Sequence, residues 1–216
     1  SMVCEKALLV LAGPPPSNEL LTWRMEETDC SIAVDGGWNC FVRAGLLPQI
    51  LIGDADSFLS FEQVAREQSK VSVHQMDDQE STDFEKALEW LDRETLPQEI
   101  IILGGLGGRS DHACTNWMIA SRIDAGCSVV FDSQEEWVCR ITPETPLSLR
   151  GNKGATLSLI PLIPCTGVSS QGLRWNLEGE SLSVTGKLSQ SNLCNSDEVK
   201  VSCEEGVLFA VLRKTI

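Results

Sequence analysis

Four short motifs hold the side chains of this 216-residue sequence best suited to work on a charged substrate. They are Asp35-Gly36-Gly37, Gly53-Asp54-Ala55-Asp56-Ser57, Asp77-Asp78-Gln79 and Gly104-Gly105-Leu106-Gly107-Gly108-Arg109. Asp54 and Asp56 are two apart, so on an extended segment their side chains point the same way. Two converging carboxylates repel unless a cation sits between them, and Mg²⁺ favours one or two carboxylates plus phosphate oxygens. The plainer alternative is that Asp56 or Ser57 caps a helix and Asp54 faces water. Asp83 has the same two readings. It is either a third metal ligand or a first-turn carboxylate that favours the helix dipole. Lys86, one turn on, either reaches a phosphate or lies on a solvated helix face.

The glycine stretch lets backbone N–H groups approach phosphates closely. Arg109 then neutralises charge, and Asp111 binds metal or orients a hydroxyl. Alternatively the stretch is a tight turn with Asp111 as a helix cap. Gly105-x-Gly107 begins a dinucleotide fingerprint, but position 110 is Ser, and no G-x-x-x-x-G-K-[ST] motif occurs. With two histidines, His74 and His112, a histidine-rich metal site is excluded. His112 reads as structural or as a partner of a reacting group rather than as a base. Trp175 reads as a stacking platform or as a core residue.

These motifs need a scaffold that brings them together. Short apolar runs at Lys6–Gly13, Ser31–Gly37, Gln49–Asp56, Val71–Met76, Glu99–Gly105 and Cys127–Asp132 predict strands buried on both faces. Between them, Phe84, Ala87, Leu88 and Leu91 share one face of a helix predicted over Thr82–Arg93, with Ser81 or Thr82 as its cap. Asp111–Ala125 predicts a second helix. Alternating strands and helices imply a mostly parallel sheet flanked by helices, a Rossmann-like α/β domain over residues 2–134. Ligands in such folds bind beyond the carboxyl ends of the strands, where all four motifs fall. After residue 134 the pattern changes to short alternating segments at Trp137–Ile141, Thr156–Ile160, Leu182–Thr185, Val199–Ser202 and Val207–Leu212. Residues 135–216 therefore read as an all-β domain, a C-terminal β-sandwich.

The bulk properties narrow the function. A net charge of −14 argues against nucleic acid and anionic membranes as partners. An acidic chain that binds a nucleotide needs a cation or a local nest to do so. Nine cysteines occur with no C-x-x-C pair, which reads as reduced, mostly buried thiols in a cytoplasmic protein without a leader. Ser1 ahead of Met2 reads as an addition to the native start. No apolar run approaches the ~20 residues needed to cross a bilayer. The sum is a constellation suited to transfer from a magnesium nucleotide.

The order DGG, GDxDS, DQxSTDFxKAL and GGxGGRxDH, at Asp35–Gly37, Gly53–Ser57, Asp78–Leu88 and Gly104–His112, resembles the thiamine pyrophosphokinases. Gly167–Leu177 (GVSSQGLRWNL) and Ser191-Asn192 resemble the thiamine-binding half of that family. The resemblance implies a homodimeric enzyme that moves the pyrophosphoryl group of ATP to the thiamine hydroxyl, with thiamine in a cleft between subunits. It implies Asp54, Asp56 and Asp83 as Mg²⁺ ligands, with Asp111 as a further catalytic residue. Asp35, Gly36, Gly37, Gln79, Thr82, Lys86, Gly105 and Arg109 would contact ATP, and Trp175, Ser191 and Asn192 would hold thiamine. Gln49 and Glu80 depart from the family pattern, which often has Asp at both, and Gly13–Pro16 has no assigned role. Rival readings are a metal-dependent nucleotide-sugar transferase on Asp54-x-Asp56, a dehydrogenase on the glycine turn, and a non-catalytic nucleotide- or thiamine-binding module.

Overall fold

The computed structural model describes residues 4–54, 69–94 and 96–214. Asp56 and Ser57 lie outside the described residues. The chain divides into two compact units. One is Ser1–Ile119 with Phe131–Gln134, and the other is Ala120–Val130 with Glu135–Ile216.

In the first unit, strands β1 (Lys6–Val10), β2 (Cys30–Val34), β3 (Ile50–Gly53), β4 (Ser72–Gln75) and β5 (Glu99–Leu103) pair in parallel in the order β4-β3-β2-β1-β5. The apolar runs explain the arrangement. All of β2 and β3, and four of five residues in β1 and in β5, are buried, as strands covered on both faces must be. Only β4, at the edge, has no buried residue. Parallel pairing puts the carboxyl ends of all five strands on one edge of the sheet.

Helices α1 (Asn18–Glu26), α2 (Trp38–Ala44) and α3 (Asp83–Glu94) belong to this unit, and α4 (Ser110–Ser121) starts in it. The α3 expectation holds within a residue. Its cap is Thr82, whose hydroxyl accepts from Glu85 N at 3.1 Å while Glu85 Oε1 accepts from Thr82 N at 3.1 Å, a reciprocal capping box. α4 is shorter than expected. Neither α1 nor α2 has an apolar stripe that announces it. On α1 the inward positions include Arg24, whose guanidinium meets the buried carboxylate of Asp132 at 2.9 Å, while Trp23 points outward, 46% exposed. α2 has seven residues, too few to show a period, and Gly45 ends it at φ +68°.

In the second unit β7 (Glu136–Ile141), β8 (Leu147–Arg150), β9 (Thr156–Gln171), β12 (Glu198–Ser202) and β13 (Glu205–Arg213) pair antiparallel in the order β7-β13-β9-β12-β8. β10 (Glu180–Leu182) and β11 (Ser189–Leu193) pair with β9 as well. β6 (Ser128–Asp132) divides between the units after Val130. The sequence marks a strand ending at Ile160, yet β9 runs 16 residues through Pro161 and Pro164. Its partner β13 shifts register between Glu205 and Leu208, so the prolines sit where the ladder is already irregular. Its inward residues Leu157, Leu159, Cys165 and Val168 join Leu208 and Ala210 in one apolar core.

Arg140, on β7, is fully buried in this unit, where a charged side chain ordinarily meets a carboxylate. Its guanidinium donates instead to four backbone carbonyls: Ala120 O at 2.9 Å, Ile123 O at 2.5 Å, Asp124 O at 2.7 Å and Cys127 O at 2.6 Å. It thus caps the carboxyl end of α4, where a cation also favours the helix dipole. Its Nε is the one buried side-chain nitrogen or oxygen without a hydrogen bond among the described residues. Burial pulls its pKa below the ordinary arginine value. Each buried acceptor stripped of a donor costs about 1–3 kcal/mol, so we predict that Arg140→Met lowers unfolding free energy by roughly 3 kcal/mol or more. Urea unfolding measures it, and a loss below about 1 kcal/mol would mean that water replaces the guanidinium.

Candidate active site

At the strand-end edge of the first unit lies a cavity of about 600 Å³. Leu11–Pro14 after β1, Thr82–Phe84 at the start of α3, Gly104, Gly105, Gly107 and Arg109 after β5, and Asp111–Ala113, Thr115 and Asn116 on α4 line it. Of this wall the sequence singles out Thr82, Asp83, the glycine stretch, Arg109, Asp111 and His112. It gave no role to Leu11–Pro14, nor to Thr115 and Asn116. The signal for the first was present: an apolar run ending in glycine at a strand terminus, the same pattern that flagged the other motifs.

The glycines of this edge are required by close backbone approach. A Cβ on Gly13 would lie 2.2 Å from Gly104 O, and one on Gly104 would lie 2.4 Å from Leu11 O. Gly104 also has φ +71°. The loops after β1 and β5 are therefore zipped together, with Gly13 N donating to Gly104 O at 3.0 Å. From α4, Asn116 Nδ2 donates to Gly105 O at 3.1 Å and fixes the next residue. Gly37 serves packing too, since its Cβ would fall 2.0 Å from Val10 O. Gly36 and Gly37 let a 3₁₀ turn (Asp35–Gly37) lie against β1, outside the cavity lining.

The carboxylates gather beside it. Asp35 follows β2 at φ +47°, and its Oδ1 accepts from Asp54 N at 3.3 Å, which ties the end of β2 to the end of β3. Burial pushes the Asp83 carboxyl up to about 7, helped by a hydrogen bond with Asp35 and by repulsion from Asp35 and Asp54. Lys86, only 4% exposed, pulls the other way, so it lies inside the charge cluster rather than on a solvated face. The donors present are all hard oxygens, which suits a hard divalent cation. Among the described residues no three His, Cys, Asp or Glu side chains form a metal site by themselves. Asp56, the remaining expected ligand, lies outside the described residues.

Arg109 and Asp111 form a two-bond clamp, Nε to Oδ1 at 3.1 Å and Nη2 to Oδ2 at 2.7 Å, with both side chains well exposed. That pairing holds the Asp111 carboxyl below its ordinary value. Asp111 lies in the first turn of α4 and is not its cap. His112 lines the cavity, whereas His74 packs on Trp90 with ring centroids 5.3 Å apart. Gln79 is exposed and donates to Asp77 O at 3.3 Å, off the cavity wall.

In the second unit Trp175 is 57% exposed, with the Arg174 guanidinium 4.7 Å from its ring centroid. Ser191 has φ +57° and donates its N–H to Ser158 Oγ at 2.9 Å. Asn192 is 5% exposed and hydrogen-bonded to the Trp175 backbone.

Two family models match: thiamin pyrophosphokinase, catalytic domain, over residues 22–131, and thiamin pyrophosphokinase, vitamin B1 binding domain, over residues 141–208. The chain belongs to the thiamin pyrophosphokinase family. Thiamin pyrophosphokinase 1 of Caenorhabditis elegans is 29% identical, over 83% of this chain and 77% of that protein. Thiamine pyrophosphokinase 1 of Arabidopsis thaliana is 26% identical, over 97% and 87%. The crystal structure of thiamine pyrophosphokinase from Bacillus subtilis shares the fold with a TM-score of 0.79 at 21% identity, covering 98% of this chain and all of that one. The first family model spans the described carboxylate cluster and the second spans Trp175 to Asn192.

The raised Asp83 value has a consequence for stability. Its folded-state proton is held more tightly than the unfolded carboxyl's, whose ordinary value is 3.8. Ionisation therefore costs stability, which is fullest below the unfolded value and declines as pH rises to about 7. We predict that in chelator-treated protein at about pH 8 Asp83→Asn raises the melting temperature, and that the gain vanishes near pH 3. A variant that melts lower than the parent at the higher pH would refute the repulsion.

Proposed function

We propose that this chain transfers the pyrophosphoryl group of ATP to the hydroxyl of thiamine, giving thiamine diphosphate and AMP. The observation that carries the reading is the half-buried group of Asp35, Asp54 and Asp83, in which the first two repel the third, beside a cavity walled by a glycine turn and Arg109. Such a group is costly in the free protein and useful only where a cation and phosphates offset it.

In this reading Asp54, Asp56 and Asp83 hold Mg²⁺, and Asp35 keeps Asp54 in place through its backbone N–H. Held there, the cation would supply charge neutralisation to the phosphate oxygens. Thr82, Gly105, Arg109 and Lys86 contact the triphosphate, with Gln79 and Asp35–Gly37 supporting the nucleotide. Leu11–Pro14 forms the wall the sequence left unassigned. The thiamine hydroxyl oxygen bonds to the β-phosphorus, the α–β bridging P–O bond breaks with its electrons, and AMP leaves. The hydroxyl proton is lost to solvent or a nearby carboxylate. Asp111 is a poor acceptor while Arg109 depresses its pKa, so its role is to hold Arg109 and orient the hydroxyl. Positioning and charge neutralisation supply most of the acceleration for a neutral alcohol.

Trp175 and Ser191 hold thiamine. We read residues 2–134 as the Rossmann-like catalytic part and residues 135–216 as the thiamine-binding sandwich, with β9 serving both layers. The working form is a cytoplasmic homodimer whose partner copy completes the thiamine site. Val184, Leu188 and Ile163, 74%, 59% and 43% exposed, are apolar surface that a second copy can cover. Sedimentation should give twice the 23.6 kDa chain mass; a monomer at micromolar concentration contradicts the dimer.

The decisive assay is AMP formation from ATP that requires both Mg²⁺ and thiamine. We expect Asp54→Asn and Asp83→Asn each to lower kcat by about 10²-fold or more with the fold intact. Absence of AMP and thiamine diphosphate defeats the reading, and near-parental turnover in both variants defeats the metal assignment.

A further inference from the structure

Resting on the thiamine reading of Trp175, we infer that Asn192 is a positioning residue: it sets the Trp175 indole for substrate through the Trp175 backbone and does not itself touch thiamine. The geometry of residues 170–177 carries this. Leu173 bridges to Cys194, and Arg174 N donates to Leu193 O at 2.9 Å, so the segment runs as a short strand along the end of β11. Asn195 N also donates to Gly172 O at 2.8 Å, so the bonded positions alternate and Trp175 falls opposite Asn192, where an antiparallel ladder makes no backbone bond. β11 is itself irregular against β9 between Ser189 and Asn192, with Ser191 at φ +57°.

The Asn192 side chain fills that gap. Its Oδ1 accepts from Trp175 N at 3.2 Å, and its Nδ2 donates to Trp175 O at 2.7 Å. A primary amide offers an acceptor and a donor arranged like a peptide unit, so it supplies the two bonds that the backbone pairing leaves unmade at Trp175. Oδ1 also accepts from Leu193 N at 2.9 Å, and the residue is 5% exposed. Little of the amide is left to meet a ligand.

The opposite side of the segment is fixed independently. Asn176 Oδ1 accepts from Leu173 N at 3.0 Å and from Ser170 Oγ at 3.2 Å, and Ser170 exchanges bonds with Leu177. The backbone at Trp175 is thus held on both sides, while its ring stands 57% exposed with Arg174 stacked against it. An exposed ring on a clamped backbone is pre-organised, and loosening the clamp misplaces it without removing any atom that contacts substrate.

A mutant cycle with Asn192→Ala and Trp175→Ala, read as KM for thiamine and for ATP, tests this. Asn192→Asp is the second variant, since it keeps the shape and an acceptor but sets a carboxylate oxygen against Trp175 O. We expect both Asn192 variants to raise KM for thiamine about tenfold or more, with KM for ATP unchanged. In the Trp175→Ala background Asn192→Ala should add less than about twofold, because its effect passes through the missing ring. Full multiplicative effects in the double variant would place Asn192 on the substrate and overturn the inference. So would Asn192 variants that melt lower with thiamine KM unchanged. Failure of Trp175→Ala alone to change thiamine KM defeats the underlying reading instead, and the single variant separates the two cases.

Discussion

Repulsion among half-buried carboxyl groups at the ends of neighbouring strands and the start of α3 is the constraint on which the first unit turns. Parallel pairing of β2 with β3 forces Asp35 and Asp54 to the same edge, and the start of α3 brings Asp83 to them. Nothing in sheet or helix formation asks for three carboxyl groups there. The fold accommodates them by tying Asp35 to the Asp54 backbone, by burying Lys86 close by and by keeping Asp83 inclined to hold its proton. Each measure reduces the repulsion without removing it, so the edge keeps a standing demand for positive charge.

The remainder of that edge is rigid where the carboxylates are uneasy. Gly13 and Gly104 lock two loops by mutual backbone contact, and Asn116 anchors Gly105. The glycine turn therefore does less as a flexible cradle than as a fixed wall. Arg109 behaves similarly, because its fork is already engaged by Asp111. In the proposed reaction a phosphate would meet a preset surface, with little reorganisation to oppose binding.

Legibility followed periodicity. The runs of β1, β2, β3 and β5 were plain because burial on both faces writes unbroken apolar sequence, and α3 was plain because Phe84, Ala87 and Leu91 share one buried face. α1 was hidden by Arg24, a charged side chain buried only because Asp132, more than a hundred residues away, receives it. The length of β9 was hidden by Pro161 and Pro164, which end strands unless a bulge absorbs them. At the site, Asp35, Asp54, Asp83, Arg109 and the glycine turn were legible as residue types at strand ends. Lys86 was legible as a candidate phosphate contact, but its burial was not, since that depends on the carboxylates around it. Leu11–Pro14 carried the strand-end signal without an assigned role, and Asn116 was not legible, because its part comes from its bond to Gly105. The capping box of Thr82 and Glu85 explains why α3 starts at Asp83.

Backbone strain gives an independent line on where function lies. Among the described residues, Asp35 and Ser191 are the non-glycine residues with positive φ. Such conformations cost of order 1–3 kcal/mol and persist where surrounding contacts over-determine them. Asp35 is held by its bond to the Asp54 backbone, and Ser191 by its bond to Ser158. Glycine at either position would relieve the strain, but at position 35 it would also remove the carboxylate. At position 191 the strain lies in β11 directly before Asn192, whose amide takes the Trp175 backbone. One strained residue therefore belongs to the carboxylate group and the other to the clamp on the exposed indole. Each unit keeps its distortion at the place where its chemistry is proposed, and not at the many turns where glycine already supplies positive φ without cost.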